Sequence, residues 1–314
     1  MINFLKGNKK LLFLAVCIMT LGLLLAGCGG GGETQTEGNT DSGADATPKE
    51  KIIRITASDV PNIDPGVGND YVSSTALCNI YDTLVFPKDD GTIAPWIATD
   101  WETSEDGLTW TFNLRQGVKF HNGDELKASD VAFSMNRLVT MGEGYGYLFT
   151  GVIDSVTVLE DYKVEFKLKK AFGPFLSTLC RLYILNEDQV MANKQDGAYG
   201  EFGDYGKQWL TTNDAGSGPY MTKEIKKQEY YHAVKFDDFW GGWDPDAPEA
   251  IKLIGTTETA TIRTLMNNGE LEITDQWQTE EALKGLSEIP GVGIDAAFTG
   301  SILNIMLNTQ KAPT

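Results

Sequence analysis

The 314-residue chain has only two histidines and four cysteines. That count excludes a cysteine-rich zinc site and a disulfide-dense scaffold. Basic residues are outnumbered, 26 against 44 acidic, for a net charge of −18. Such a chain repels phosphate backbones, so nucleic acid is not expected as a partner. No apolar run reaches the roughly 20 residues of a membrane span. No fixed-period repeat, nucleophile elbow, HExxH motif or placed acid pair is visible. Gly29–Gly32 follows no strand, so it is not a phosphate loop. The rest of the composition is ordinary: 41% hydrophobic, 10% aromatic and 22% charged. It excludes a disordered tail or a collagen-like fibre and suits about two domains.

The N-terminus reads as an address. Lys6, Lys9 and Lys10 precede an apolar stretch from Leu11 to Ala26, broken only by Thr20 and Gly22. Residues 1–27 therefore read as a secretory signal peptide. Leu25-Ala26-Gly27-Cys28 resembles a bacterial lipobox, in which the cysteine thiol accepts a diacylglycerol, so Cys28 is the expected lipidation site. A plain signal peptide with an incidental cysteine is the alternative. A chain starting at Cys28 keeps 23 basic and all 44 acidic residues, a net charge of −21. Residues 28–50 carry no aromatic and, between Gly29 and Glu50, no aliphatic larger than alanine. They read as a flexible tether with a reach of roughly 25 Å. The expected location is the outer face of the plasma membrane, held by the lipid. Cys78 and Cys180 remain for a disulfide in that compartment, but both sit among apolar residues, and two buried free thiols are expected.

Along the body, Lys51–Ala57 reads as the first strand. Tyr71–Tyr81 reads as a helix with Val72, Ala76, Leu77 and Ile80 on one face. Leu108–Leu114 alternates apolar and polar residues, the pattern of a half-buried hairpin strand reached through Asp106-Gly107. A helix is expected over Asp130–Val139 with Val131, Met135 and Leu138 inward, a second hairpin over 152–168, and a helix opened by Pro174. Strands are expected at Tyr220–Ile225, Tyr230–Phe236, Ile251–Gly255, Leu271–Thr274, Val292–Ala297 and Leu303–Leu307, with a helix at Thr259–Asn267 stopped by Gly269. Hairpins mixed with strand–helix units argue for a mixed α/β or α+β chain with more than one lobe.

Four segments then carry a resemblance. They are Asp82-Thr83-Leu84-Val85 with Ile93–Ala98; Trp101-Glu102 through Asp106–Phe112 and Leu114–Gly123; Ser129-Asp130-Val131-Ala132-Phe133-Ser134; and Gly216-Ser217-Gly218-Pro219-Tyr220 with Phe239-Trp240-Gly241-Gly242. Together, and in this order, they resemble the family 5 extracellular solute-binding proteins of ABC transporters, the peptide/nickel-binding group. The likeness runs from about Lys51 to the C-terminus. It implies a type II periplasmic-binding-protein-like fold, two lobes hinged about a cleft with an extra domain inserted in the first. On that template 51–85 is the first part of lobe I, 86–210 the inserted domain, 211–295 the second part of lobe I and 296–314 the start of lobe II. Family members are considerably longer, so the sequence reads as an N-terminal part with the second lobe largely missing. Lys127 stands where the family has a capping threonine, so that cap is expected to weaken or shift to Ser129. Ser217 replaces a threonine.

The function implied is capture of oligopeptides or dipeptides for an importer's permease and ATPase subunits. No enzymatic activity and no cofactor are expected, and a monomer is expected. An oligosaccharide, a nickel chelate or a haem chelate is an alternative solute, and a sensing lipoprotein without transport is an alternative role. An extracellular hydrolase is the enzyme alternative, to be tested by turnover of chromogenic substrates. His121, beside the Asn122-Gly123 turn, is read as structural, and no metal site is expected. The candidate ligand contacts are Ser58, Asp59 and Val60, whose family counterpart pairs its backbone with an extended peptide; a solvated turn is the competing account. Tyr145 and Tyr147 lie on a Gly-rich loop, where a core role explains them poorly. Arg181, the only basic residue between Lys170 and Lys194, suits a carboxylate or a surface ion pair, with Tyr183 beside it. Trp277, between two glutamines, suits a cleft platform or the core.

Overall fold

Alternation along Leu108–Leu114 turns Phe112 and Leu114 into the interior, and the strand forms there in the computed structural model, which describes residues 51–295. In chain order, β1 (Ile52–Ala57) leads through a loop to α1 (Tyr71–Ile80) and the short strands β2 (Val85–Pro87) and β3 (Ile93–Pro95). Next come β4 (Ala98–Thr103), β5 (Thr109–Leu114), α2 (Ala128–Met141), β6 (Ile153–Glu160) and β7 (Lys163–Leu168). The short helices α3 (Phe175–Thr178) and α4 (Glu187–Ala192) precede β8 (Tyr220–Lys226), β9 (Tyr230–Lys235) and β10 (Ala250–Gly255). The last elements are α5 (Thr259–Asn267) and α6 (Glu280–Ser287).

Two four-stranded sheets organise these elements. One has the order β1-β10-β9-β8, with β1 and β10 parallel and the other pairs antiparallel. The other, β4-β5-β7-β6, is antiparallel throughout. Each packs its own core. Phe112, Phe120, Phe166 and Phe175 lie in the core of the antiparallel sheet, and each fully buried side chain of this kind contributes roughly 1.5–3 kcal/mol. Leu77, Ile80, Tyr183 and Leu253 belong to the core on the mixed sheet. Helix α2 serves both, with Val131, Met135 and Leu138 in the first and Phe133 and Met141 in the second. A third, small cluster of Ile262, Leu271, Leu286 and Ile289 packs α5 against α6.

Helix α1 buries the expected face, Val72, Ala76, Leu77 and Ile80, and Asp70 caps it by accepting from Ser73 N at 2.9 Å. Helix α2 starts earlier than expected. Its N-cap is Lys127, whose ammonium cannot accept a hydrogen bond and so does not cap; Asp130 Oδ2 instead accepts the Lys127 N–H at 2.8 Å, and Ser129 plays no capping part. Leu271–Thr274 forms one parallel bridge, Ile55 to Ile273, rather than a strand. Residues 292–295 are not a strand either, while 296–297 and Leu303–Leu307 lie outside the described residues. Cys78 and Cys180 are free, but neither is buried: Cys78 is exposed and Cys180 half-buried. The reason lies in the helix period. At about 100° per residue, Cys78 points away from the Val72–Ile80 face.

Candidate functional site

A buried ion pair sets the shape of the wall that carries the candidate residues. Arg137, 1% exposed on α2, donates to Asp64 through Nη1 at 2.7 Å and Nη2 at 2.8 Å, and its Nε donates to Tyr205 O at 2.9 Å. Asp64 sits in the loop between β1 and α1, so this pair fixes that loop to the core. A side chain at Gly66 would collide with the Arg137 guanidinium. Gly144, at φ +54°, lets the 142–149 loop pass close to the Gly66 carbonyl.

That close approach decides where Tyr145 goes. It is 9% exposed, with its hydroxyl 2.7 Å from Ser74 Oγ and 3.3 Å from Asn69 O. The expectation that it stands off the core is therefore corrected: the loop folds onto α1 and turns the ring inward. Tyr183 is likewise buried. Burial pushes its phenol up to about 12, against the pull of Arg181. Tyr147 remains in solvent, 67% exposed, with its ring 6.4 Å from that of Tyr145. Arg181 is exposed, lies 5.0 Å over the Tyr145 ring and donates to the Tyr183 hydroxyl at 3.3 Å. Among the described residues it has no carboxylate partner, so the surface ion pair is not formed there.

The other candidates gather at the carboxyl ends of parallel strands, where open α/β sheets place their ligands. Segment 272–275 runs beside β1, with Thr56 N donating to Ile273 O at 3.1 Å and Asp275 N donating to Thr56 Oγ1 at 3.0 Å. Just beyond β1, Ser58 and Asp59 are exposed and Val60 is half-buried, and Asp59 Oδ1 accepts the Val60 N–H at 2.7 Å. Trp277 is 64% exposed, so it is not core. Its backbone is pinned, since its N–H donates to Asp275 Oδ1 at 2.8 Å. Its ring stands edge-on to Tyr71, which is 62% exposed, at 6.5 Å and 80°.

Tyr71 is the residue that sequence reasoning missed. It heads a second stripe on α1, Tyr71, Ser74 and Cys78, at spacings of three and four. Trp277 meets the first, Tyr145 the second, and Arg181 acts electrostatically on the third. Desolvation pushes the Cys78 thiol up and Arg181 draws it down. The stripe is about 10 Å long at 1.5 Å per residue. It joins Trp277, Tyr145, Tyr147, Arg181 and Tyr183 into one wall. No contact ties Ser58, Asp59 or Val60 to those rings among the described residues.

Residues from three of the four motif segments meet elsewhere, in a buried polar joint. Asp82 accepts from Trp96 Nε1 at 2.6 Å, Ser217 Oγ at 2.8 Å and Trp240 Nε1 at 3.0 Å. Burial raises its carboxyl above the usual range, and the three donors counter only part of that. Gly218 N donates to Ile80 O at 2.8 Å, and a side chain at Gly216 or Gly218 would collide with the Ile80 carbonyl. His121 places Nδ1 2.5 Å from Asp214 Oδ1 and Nε2 2.9 Å from Gly218 O, so both ring nitrogens are engaged. Although burial opposes it, the His121 contact holds the Asp214 carboxyl below its ordinary value. Among the described residues no group of three or more His, Cys, Asp or Glu is arranged to hold a metal ion.

Comparison with known proteins matches this architecture. The sequence profile of the bacterial extracellular solute-binding proteins, family 5 Middle, matches residues 92–314. The probable D,D-dipeptide-binding periplasmic protein DdpA of Escherichia coli K12 is 28% identical over 275 residues, 85% of this chain and 51% of the relative. The nickel-binding periplasmic protein of the same organism is 26% identical over 239 residues, 75% of this chain and 44% of the relative. Among solved structures, the periplasmic binding protein DppA from Helicobacter pylori in complex with the peptide STSA superposes with a TM-score of 0.65 at 28% identity, over 76% of this chain and 49% of that one. The chain spans about half the length of the curated relatives it matches. The neighbours have the mixed α/β, type II periplasmic-binding-protein fold.

Proposed function

The chain belongs to family 5 of the bacterial extracellular solute-binding proteins, and on that footing we propose that it captures short peptides for an ABC importer. Members of the family are solute-binding components of transporters, not enzymes. The observation that carries the peptide reading is the α1 wall. It offers a cation, Arg181, that has no carboxylate partner among the described residues, and exposed rings at Tyr71, Tyr147 and Trp277 to side chains. Ser58, Asp59 and Val60 supply backbone at the end of β1 for pairing with an extended chain. Tyr145 and Tyr183 act from beneath, as the buried seat of Arg181. Calorimetric titration of the protein, purified as its own gene encodes it, with a mixed pool of di- to pentapeptides tests the reading. Saturable heat is expected, and its absence contradicts peptide capture.

The same reading places the protein, as a monomer, on the outer face of the membrane, held by a lipid at Cys28 and a tether over 28–50, with a permease and its ATPase as partners. It assigns 51–85 and 211–295 to lobe I, 86–210 to the inserted domain and 296–314 to the entry of lobe II. Cys28→Ala is expected to release the protein from membranes or to block its processing. Unchanged membrane partition of that variant contradicts the anchor.

A further inference from the structure

We infer that the Tyr71–Trp277 end of the α1 wall selects an aromatic side chain in the bound peptide. The inference rests on the peptide reading above and adds which peptides the site prefers. Trp277 and Tyr71 are exposed, yet neither is loosely held. Tyr71 opens a capped helix, and the Trp277 backbone is fastened to Asp275, which is itself fastened to Thr56 on β1. Exposed rings on a fixed backbone lose little conformational freedom when a ligand covers them. The two rings already meet edge to face at 6.5 Å and 80°, the arrangement that aromatic pairs favour, and a third ring extends the set.

The amide and carboxylate groups nearby are spent on one another, which favours an apolar ring over a sugar. A sugar needs free donors and acceptors around a stacking ring. Here Gln278 Nε2 donates to Asp275 Oδ2 at 2.9 Å, Thr259 Oγ1 donates to Gln278 Oε1 at 3.1 Å, and Asp275 bonds Thr56. Those side chains are engaged with one another, so what is offered to a ligand is chiefly ring surface, with the Tyr71 hydroxyl and the Trp277 indole N–H at its edge. Geometry also sets the spacing. Tyr71 and Cys78 are about 10 Å apart along the helix, a distance that about three extended residues span. Arg181 lies over the Tyr145 ring, which meets Ser74 on the same stripe, so a carboxylate held at Arg181 keeps the peptide on the face of α1 that Tyr71 heads.

The test uses the protein purified as its own gene encodes it, titrated by calorimetry with Phe-Ala-Ala and Leu-Ala-Ala. The Phe peptide is expected to bind roughly five- to tenfold more tightly, the size of one added aromatic contact. Trp277→Ala is expected to abolish that preference with the melting temperature unchanged, and Trp277→Phe to keep most of it. Equal binding of the two peptides by the wild type overturns this inference and leaves peptide capture standing. A preference that survives Trp277→Ala also overturns it. Binding of neither peptide contradicts peptide capture and the inference with it.

Discussion

The polar joint around Asp82 and the wall along α1 are built from the same residue types and put to opposite use. In the joint, Trp96 and Trp240 send both indole N–H groups to one buried carboxylate. On the wall, Trp277 leaves its ring in water. In the joint, Asp214 meets His121; on the wall, Arg181 meets tyrosines and, among the described residues, no carboxylate. Groups satisfied inside the chain hold the fold, and groups left unpaired on a rigid base are available to a ligand.

The contrast is sharpest where a buried charge is stripped of its partner. Arg137→Ala leaves Asp64 buried without its cation and is expected to cost about 3–5 kcal/mol. Urea unfolding measures it, and a loss under 1 kcal/mol would remove the ion pair from the list of buried supports. Asp82→Ala, which orphans two indole N–H groups and a hydroxyl, is expected to cost roughly 1–3 kcal/mol per group left unsatisfied. The sum is tempered by release of a carboxyl that burial already destabilises.

Acid acts on the joint with a definite sign. The folded-state value of Asp214 lies below its unfolded value of about 3.9. Its contribution is therefore complete above that pH and is lost as pH falls through the folded value. Asp82 is raised and acts in the opposite sense: its contribution is complete below the unfolded value and is lost as pH rises through the folded one. Asp214→Asn is accordingly expected to flatten the decline of the urea midpoint below about pH 4. An unchanged acid limb contradicts the assignment.

The parts of the joint were legible as motifs, Asp82-Thr83-Leu84-Val85 and Gly216-Ser217-Gly218, but their convergence on one buried carboxylate and the His121–Asp214 contact were not, because they join segments far apart in the chain. The fold was legible where periodicity was clean, as in α1 and β5. Helices α4 and α6 were not foreseen, although Asn186 and Thr279 mark their starts as side-chain caps. The wall was legible only in part. Trp277, Tyr147 and Arg181 drew notice as polar or aromatic residues without an obvious partner. Tyr71 did not, since an aromatic opening an apolar helix reads as core until its angle to Val72 and Ile80 is counted. Tyr145 was misjudged because its direction depends on Gly144 meeting Gly66, a contact between segments far apart in the chain.

The smallest expected effect on stability, and the largest on binding, comes from the wall. Arg181→Ala and Trp277→Ala remove exposed side chains, and each is expected to change stability by about 0.5 kcal/mol or less. Loss of the Arg181 charge is expected to weaken peptide binding by roughly tenfold or more, as for a charge-assisted hydrogen bond.

The rise in melting temperature on adding peptide measures both regions at once, since a ligand that binds only the folded state raises it. For Asp82→Ala the unliganded melting temperature is expected to fall while the peptide-induced rise persists. For Arg181→Ala the unliganded value is expected to hold while the rise shrinks. A full peptide-induced rise in Arg181→Ala would contradict the division between a buried joint that folds and an exposed wall that binds.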